Sequence, residues 1–381
     1  MQADLPMQDS APMPPLPPPV DSEGQRVLRS LRPVRMILPV ALGLAAVGYL
    51  FYSQFDVQQF RNIRWTGRAF GWMALAMGLL ALRHCAYTFR LHTLTGSAFS
   101  WRKCVELMVL WEFSAALTPT NKGGPFVMLF VLTREKLAAG RTAAAVFYAM
   151  VCDAGFFVLS LPVLLALYGP TMLYPGASTF AEVWVASSVF FSTYAFMCSY
   201  WCVLVVFLFI RPRYAKNALS WLARRAWLQK YAPKLDRLGN EFALAAQEMR
   251  QQPWGYHLRV VLGTLGAWTL KFLMINCLLI AIVPNTPLDG ATQAFVYARM
   301  VAMFIIMAAA PTPGGAGVAE LLFAALIADF VPDAGVAIVV ALVWRSMAYY
   351  GYLLLGVFVV PGWVTRQLSK SEQRVVKSEA R

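Results

Sequence analysis

Ala308-Ala309-Ala310-Pro311-Thr312-Pro313-Gly314-Gly315-Ala316-Gly317-Val318-Ala319-Glu320 separates two apolar runs, 295–310 and 321–331. Pro311 and Pro313 lack an N–H and fix φ, so an incoming helix must stop there. Gly314, Gly315 and Gly317 carry no Cβ, which lets the chain turn sharply and lets another group approach its backbone. A helix resuming near Gly314 would aim unpaired N–H groups, and the positive end of its dipole, back at the break. That is the construction of an anion site. Inside a bilayer, interrupted backbone persists only where protein buries it or where it lines a polar cavity. A plain Pro/Gly turn between two spans accounts for the same residues equally well.

Working outward, apolar runs recur along all 381 residues; 59% of them are hydrophobic and only 14% are charged. This is the composition of a polytopic all-α membrane protein, with no polar stretch long enough to bury a core of its own. The net charge of +14 does not point to nucleic acid, because the basic residues flank apolar runs. That placement follows the positive-inside pattern and suits anionic lipid headgroups at the cytoplasmic face. Cys85, Cys104, Cys152, Cys198, Cys202 and Cys277 fall in or beside apolar runs without paired spacing. They read as small buried apolar residues and not as disulfides or ligands.

Residues 1–35 begin with a Pro-rich, solvated tail that includes Pro14-Pro15-Leu16-Pro17-Pro18-Pro19. Residues 36–365 are the transmembrane domain, with full spans expected at 36–52, 70–91, 142–168, 183–210, 258–283 and 336–360. Two shorter runs, 104–117 and 126–132, flank a second interruption, Thr118-Pro119-Thr120-Asn121-Lys122-Gly123-Gly124-Pro125. The linker 211–257 and the tail 366–381 are rich in Lys and Arg and are expected in the cytoplasm with both termini. The loops 169–181, 284–290 and 329–334 have neither Lys nor Arg and are expected outside; Arg61, Arg64 and Arg68 dissent from this assignment.

The charge count works only if each broken segment enters and leaves on one side. The expected architecture is therefore about six full spans plus two re-entrant hairpins of opposite sense. Units 70–168 and 258–360 would form an inverted repeat with a site near the bilayer midplane. Pro119-Thr120-Asn121-Lys122-Gly123-Gly124 resembles Pro311-Thr312-Pro313-Gly314-Gly315 if one extra residue is allowed. Within the linker, apolar residues spaced among Arg and Lys over 216–250 suit either an amphipathic helix on the headgroups or a solvated helical connector.

Ionisable side chains inside apolar segments are functional candidates by default. The candidate substrate-binding set is Lys122, Gly123, Gly124, Asp153, Lys271, Arg299, Pro311, Pro313, Gly314, Gly315, Gly317, Glu320 and Arg345. Arg83, His84, Glu106 and Glu112 also lie in apolar segments, with structural roles as well supported as functional ones. A cluster of net positive charge beside helix N-termini suits a phosphate or phosphodiester. Internal pairing of Arg345 with Glu320, or of Asp153 with Lys271, is the structural alternative. Walker, Rossmann, zinc-protease and nucleophile-elbow motifs are absent, so a transporter is expected rather than an enzyme, with no cofactor or metal. A polytopic glycosyltransferase or a scaffold is a further alternative, as is a secondary transporter of a small anionic solute.

Pro311-Thr312-Pro313-Gly314-Gly315-Ala316-Gly317-Val318-Ala319-Glu320, followed by a span bearing Trp344-Arg345, resembles the lysylphosphatidylglycerol synthetase membrane-domain family, also called the flippase-like domain family. Gly123-Gly124 and Asp153 match its first half more loosely, and the resemblance covers roughly residues 70–360. It implies a bacterial inner-membrane lipid translocase or lipid-binding transporter. The substrate would be an anionic or aminoacylated phospholipid or a polyprenyl-linked lipid, and the soluble aminoacyl-transferase domain of bifunctional members is expected to be absent. On that basis Lys122, Arg345 and the N–H groups at Gly123–Gly124 and Gly314–Gly315 would hold the headgroup. Glu320 would orient an Arg or engage a cationic headgroup such as a lysyl group.

Overall fold

The computed structural model describes residues 65–118, 123–173, 188–225, 229–310, 312, 315, 317–331 and 333–379. The expected span at 36–52 lies outside these residues, as do Lys122, Pro311, Pro313 and Gly314. The chain divides into a unit comprising 39–360 and a second comprising 1–38 with 361–381. The second is described only by its helical residues from Pro361 onward.

The described residues are overwhelmingly helical and contain six helices long and apolar enough to cross a bilayer. In chain order these and their shorter neighbours are α1 (Gly67–Leu94), α2 (Trp101–Leu117), α3 (Gly123–Arg134), α4 (Ala139–Tyr168), α5 (Ser188–Val205, extended by a π turn Val206–Ile210), α6 (Pro212–Ala223) and α7 (Ala232–Arg250). There follow α8 (Trp254–Ile282), α9 (Gly290–Met307), α10 (Val318–Leu326), α11 (Ala334–Arg345), a π turn Ser346–Tyr350, and α12 (Gly351–Glu379). Polar side chains mark several starts by accepting from orphan N–H groups. Thr66 receives the Ala69 N–H at 3.2 Å, Asp289 that of Thr292 at 2.8 Å, and Asp333 that of Gly335 at 2.9 Å.

The order long helix, two shorter helices, long helix occurs twice, in α1–α4 and again from α8 onward. The leading helices have 28 and 29 residues and the first arms 17 and 18. The two leading helices, α1 and α8, form the most extensive pairing among the described residues. Gly263 allows it: a Cβ there would lie 3.1 Å from the Arg90 Cβ and 3.3 Å from the Ala86 carbonyl. Small residues at such a crossing let two backbones approach in lipid, where no hydrophobic effect drives them together. Pro162, inside α4, has no N–H for the Val158 carbonyl. The Tyr194 hydroxyl of α5 donates to that carbonyl at 2.8 Å, so a freed polar group is satisfied within the protein.

Two expectations need revision and one boundary moves. The run at 295–310 belongs to a helix that starts earlier, at the Asp289 cap. Its 18 residues span about 27 Å and rank it among the six candidate crossings. The linker is a pair of helices, α6 packed on α7, and α7 in turn packs on α4 through Phe242 and Phe147, whose rings lie 5.4 Å apart. It is thus a docked helical connector and not a single surface helix. All six cysteines are free, but Cys85 and Cys202 are exposed rather than buried.

Candidate functional site

A cavity of about 750 Å³ is lined by residues of α1–α5, α8, α9, α11, the π turn Ser346–Tyr350 and α12. Its polar lining comes from long helices on which basic residues share a face. Arg83, Tyr87 and Arg90 are spaced i, i+4, i+7 on α1, one stripe of a helix. Arg345, Ala348, Tyr349 and Tyr352 follow a similar stripe through the π turn, a local widening often found at functional sites. Lys271 and Trp268 come from α8, Asp153 from α4 and Glu112 from α2.

Three of the four basic residues hold carboxylates. Arg83 donates to Glu112 at 2.9 Å and to the Tyr352 hydroxyl at 3.2 Å. Arg90 grips both oxygens of Asp153, at 2.6 and 3.1 Å, and also donates to Thr264; the Trp268 indole adds a bond to the same carboxylate at 3.0 Å. Arg345 pairs with Glu320 at 3.1 Å and lies 4.2 Å from the Tyr349 ring centroid. The Tyr87 ring lies between Arg83 and Arg90, 4.9 and 4.6 Å from their guanidinium carbons. Lys271 differs: its ammonium lies 4.7 Å from the Trp268 centroid and 4.4 Å from that of Phe304. No ion pair or hydrogen bond reaches it among the described residues.

Both chain interruptions border this space. Ala115, Ala116, Pro125 and Phe126 flank the first, and Met307, Ala308 and Ala309 precede the second. The Tyr349 hydroxyl donates to the Ala116 carbonyl at 3.0 Å, tying the span after the second break to the helix before the first. The glycine N–H groups at the breaks are used locally. Gly123 donates to Thr118 Oγ1 at 2.9 Å, Gly315 to the Thr312 carbonyl at 3.0 Å and Gly317 to Glu320 Oε2 at 2.7 Å. Glu320 therefore orients Arg345 with one oxygen and caps a helix start with the other. Gly124 packs against Trp111.

Of the sequence candidates, Asp153, Lys271 and Arg345 line the cavity, and Glu320 supports it from behind. Arg299 does not reach it. It is buried and bonds the Leu326 carbonyl, the Thr171 carbonyl and Asp329, clamping α9 to the end of α10. Glu106 pairs with Lys103, away from the cavity, whereas Glu112 and Arg83 belong to it. Arg90 escapes sequence reasoning because it sits one residue from the expected end of its span and reads as an interfacial Arg. Its i+7 spacing from Arg83 is the available signal. Asp153 accordingly pairs with Arg90 and not with Lys271.

The mouth of the cavity is apolar. Phe126 of α3 is 67% exposed and Phe196 of α5 is 61% exposed, and both border the cavity. No extensive packing joins α3 to α5 among the described residues.

Six helices long and apolar enough to cross a bilayer, around a cavity with charged lining and an apolar rim, define a multi-pass membrane protein. Residues 36–356 match the family described as the lysylphosphatidylglycerol synthase TM region, and the chain belongs to it. It is also similar to a "UPF0104 membrane protein" of Archaeoglobus fulgidus, with 26% identity over 279 residues, 70% of this chain and 77% of that protein. No solved structure matches it.

Proposed function

We propose that the protein binds the acidic headgroup of a membrane lipid in the cavity and carries it between leaflets while the tails stay in the bilayer. The observation that carries this reading is the pairing of four basic residues inside with exposed Phe126 and Phe196 at the mouth. A headgroup needs countercharge; acyl chains need an apolar exit at the same depth. The cavity volume lies in the range of small-molecule sites, which also suits a small anionic solute, but a solute needs no lateral door. The two interruptions, as re-entrant hairpins of opposite sense, would set the site near the midplane of an inner membrane. The basic connector and both termini would then lie on the cytoplasmic side.

The test is lipid retention. Protein extracted with its surrounding bilayer in a polymer disc should carry acidic lipid enriched over the bulk membrane, read by mass spectrometry. Reconstituted protein should accelerate transbilayer movement of a headgroup-labelled acidic lipid, and Gly315→Val should abolish that movement while the protein still inserts. Retained lipid matching bulk composition, together with no acceleration, would sink the proposal.

A further inference from the structure

The geometry points to Lys271 as the anion-binding centre of the cavity: it takes the single negative charge of a phosphodiester, with the Trp344 indole N–H as a second donor. This inference rests on the lipid reading and narrows its substrate to headgroups of net negative charge.

Charge accounting carries the assignment. Arg83, Arg90 and Arg345 each hold a carboxylate. Among the described residues no carboxylate lies within ion-pair distance of Lys271; Glu112 and Asp153 act on it only at longer range, and its ammonium lies against the Trp268 and Phe304 rings. An ammonium enclosed by apolar groups is costly unless an anion joins it. Aromatic faces offset part of that cost and leave the front of the ammonium available.

Comparison of the two four-helix groups shows where the missing partner would have come from. Arg83 sits sixteen residues into α1 and Lys271 seventeen into α8. Arg83 is met by Glu112, eleven residues into the next helix; the equivalent stretch of α9, Met300-Val301-Ala302, is apolar and buried. The second group thus repeats the cation without the anion.

A second observation is independent of charge. Trp344 lines the cavity, is only 2% exposed, and its Nε1–H meets no acceptor among the described residues. Phe304 is the common neighbour, its ring 4.4 Å from the Lys271 ammonium and 5.8 Å from the Trp344 ring. Both donors belong to residues that line the cavity around Phe304, and a phosphodiester, with two charged oxygens, would offer an acceptor to each. The three carboxylates are already engaged, so an ammonium-bearing headgroup would find cations and no counter-ion.

The test titrates full-length protein in detergent with dioleoyl phosphatidylglycerol, whose only charge is its phosphodiester, with dioleoyl phosphatidylcholine, and with inorganic phosphate, each read by native mass spectrometry. Wild type should prefer the acidic lipid by about tenfold or more, the value of one charge-assisted contact. Lys271→Met should lose that preference by weakening the acidic lipid more than phosphatidylcholine, Lys271→Arg should keep it, and Trp344→Phe should weaken it less. In lipid-free detergent Lys271→Met should melt at or above the wild-type temperature, because it removes an unneutralised charge. A preference that survives in Lys271→Met overturns the assignment and leaves the lipid reading standing. Inorganic phosphate bound as tightly as the acidic lipid, and lost in Lys271→Met, keeps Lys271 as the anion centre and overturns the lipid reading. A lower melting temperature for Lys271→Met marks Lys271 as structural and also overturns the assignment.

Discussion

The two interruptions of the chain are closed by different chemistry. At the first, Thr118 accepts the Gly123 N–H and its hydroxyl returns to the carbonyls of Ser114 and Ala115, so these described contacts are uncharged and local. At the second, Glu320 caps Gly317 and is held by Arg345 of the next span. One break depends on a hydroxyl within its own turn, the other on a buried ion pair between helices. The second half of the molecule therefore couples its break to the cavity electrostatically. In the first half the cavity carboxylates, Glu112 and Asp153, are instead held by α1 and leave the break alone.

The largest test of this contrast is Glu320→Ala. It takes the Glu320 carboxylate away from Arg345 and the acceptor away from the Gly317 N–H, and should cost about 3–5 kcal/mol. Thermal unfolding in detergent would show it as a large fall in Tm, and Glu320→Gln, which keeps the cap and loses the charge, should fall between that variant and wild type. Equal losses for Glu320→Ala and Thr118→Val would erase the contrast.

Next in size is Gly124→Ala. The new Cβ would lie 2.9 Å from the Trp111 ring and 3.0 Å from the Trp111 carbonyl, so the first break must shift. Overpacking of that kind costs about 1–3 kcal/mol, measurable by the same melting experiment. Thr118→Val should be smaller again, about 1 kcal/mol for a lost neutral hydrogen bond, with hydrogen exchange at Gly123 accelerated. An unchanged Gly123 amide would show that the seal is not Thr118.

The smallest effect concerns the start of α9. The backbone N–H of Thr292 holds the Asp289 carboxyl below the usual Asp range. A carboxylate depressed in the folded state adds stability above its unfolded pKa, and that stability is lost as pH falls through the folded value. Amide protection at 290–293, corrected for intrinsic exchange, should therefore fall in mild acid and be independent of pH in Asp289→Asn.

The all-helical, multi-pass architecture was legible because apolar runs and basic flanks are local properties of the chain. Arg345 with Glu320 was legible as one of two pairings because the motif and the following Arg lie close in sequence. The other pairing was not: Asp153 meets Arg90 because α4 packs against both α1 and α8, an event that periodicity cannot register. The glycine-rich breaks advertised free N–H groups, yet Thr118 and Glu320 consume two of them, since capping depends on rotamers rather than composition.

What the sequence determined alone is where the chain is apolar enough to cross a bilayer and where Pro and Gly forbid a continuous helix, because both follow from single residues and near neighbours. Only the tertiary structure decided which buried charges neutralise one another, because that depends on how helices rotate and how closely they cross. The same packing left Lys271 facing the cavity against two aromatic rings, with no carboxylate at ion-pair distance among the described residues.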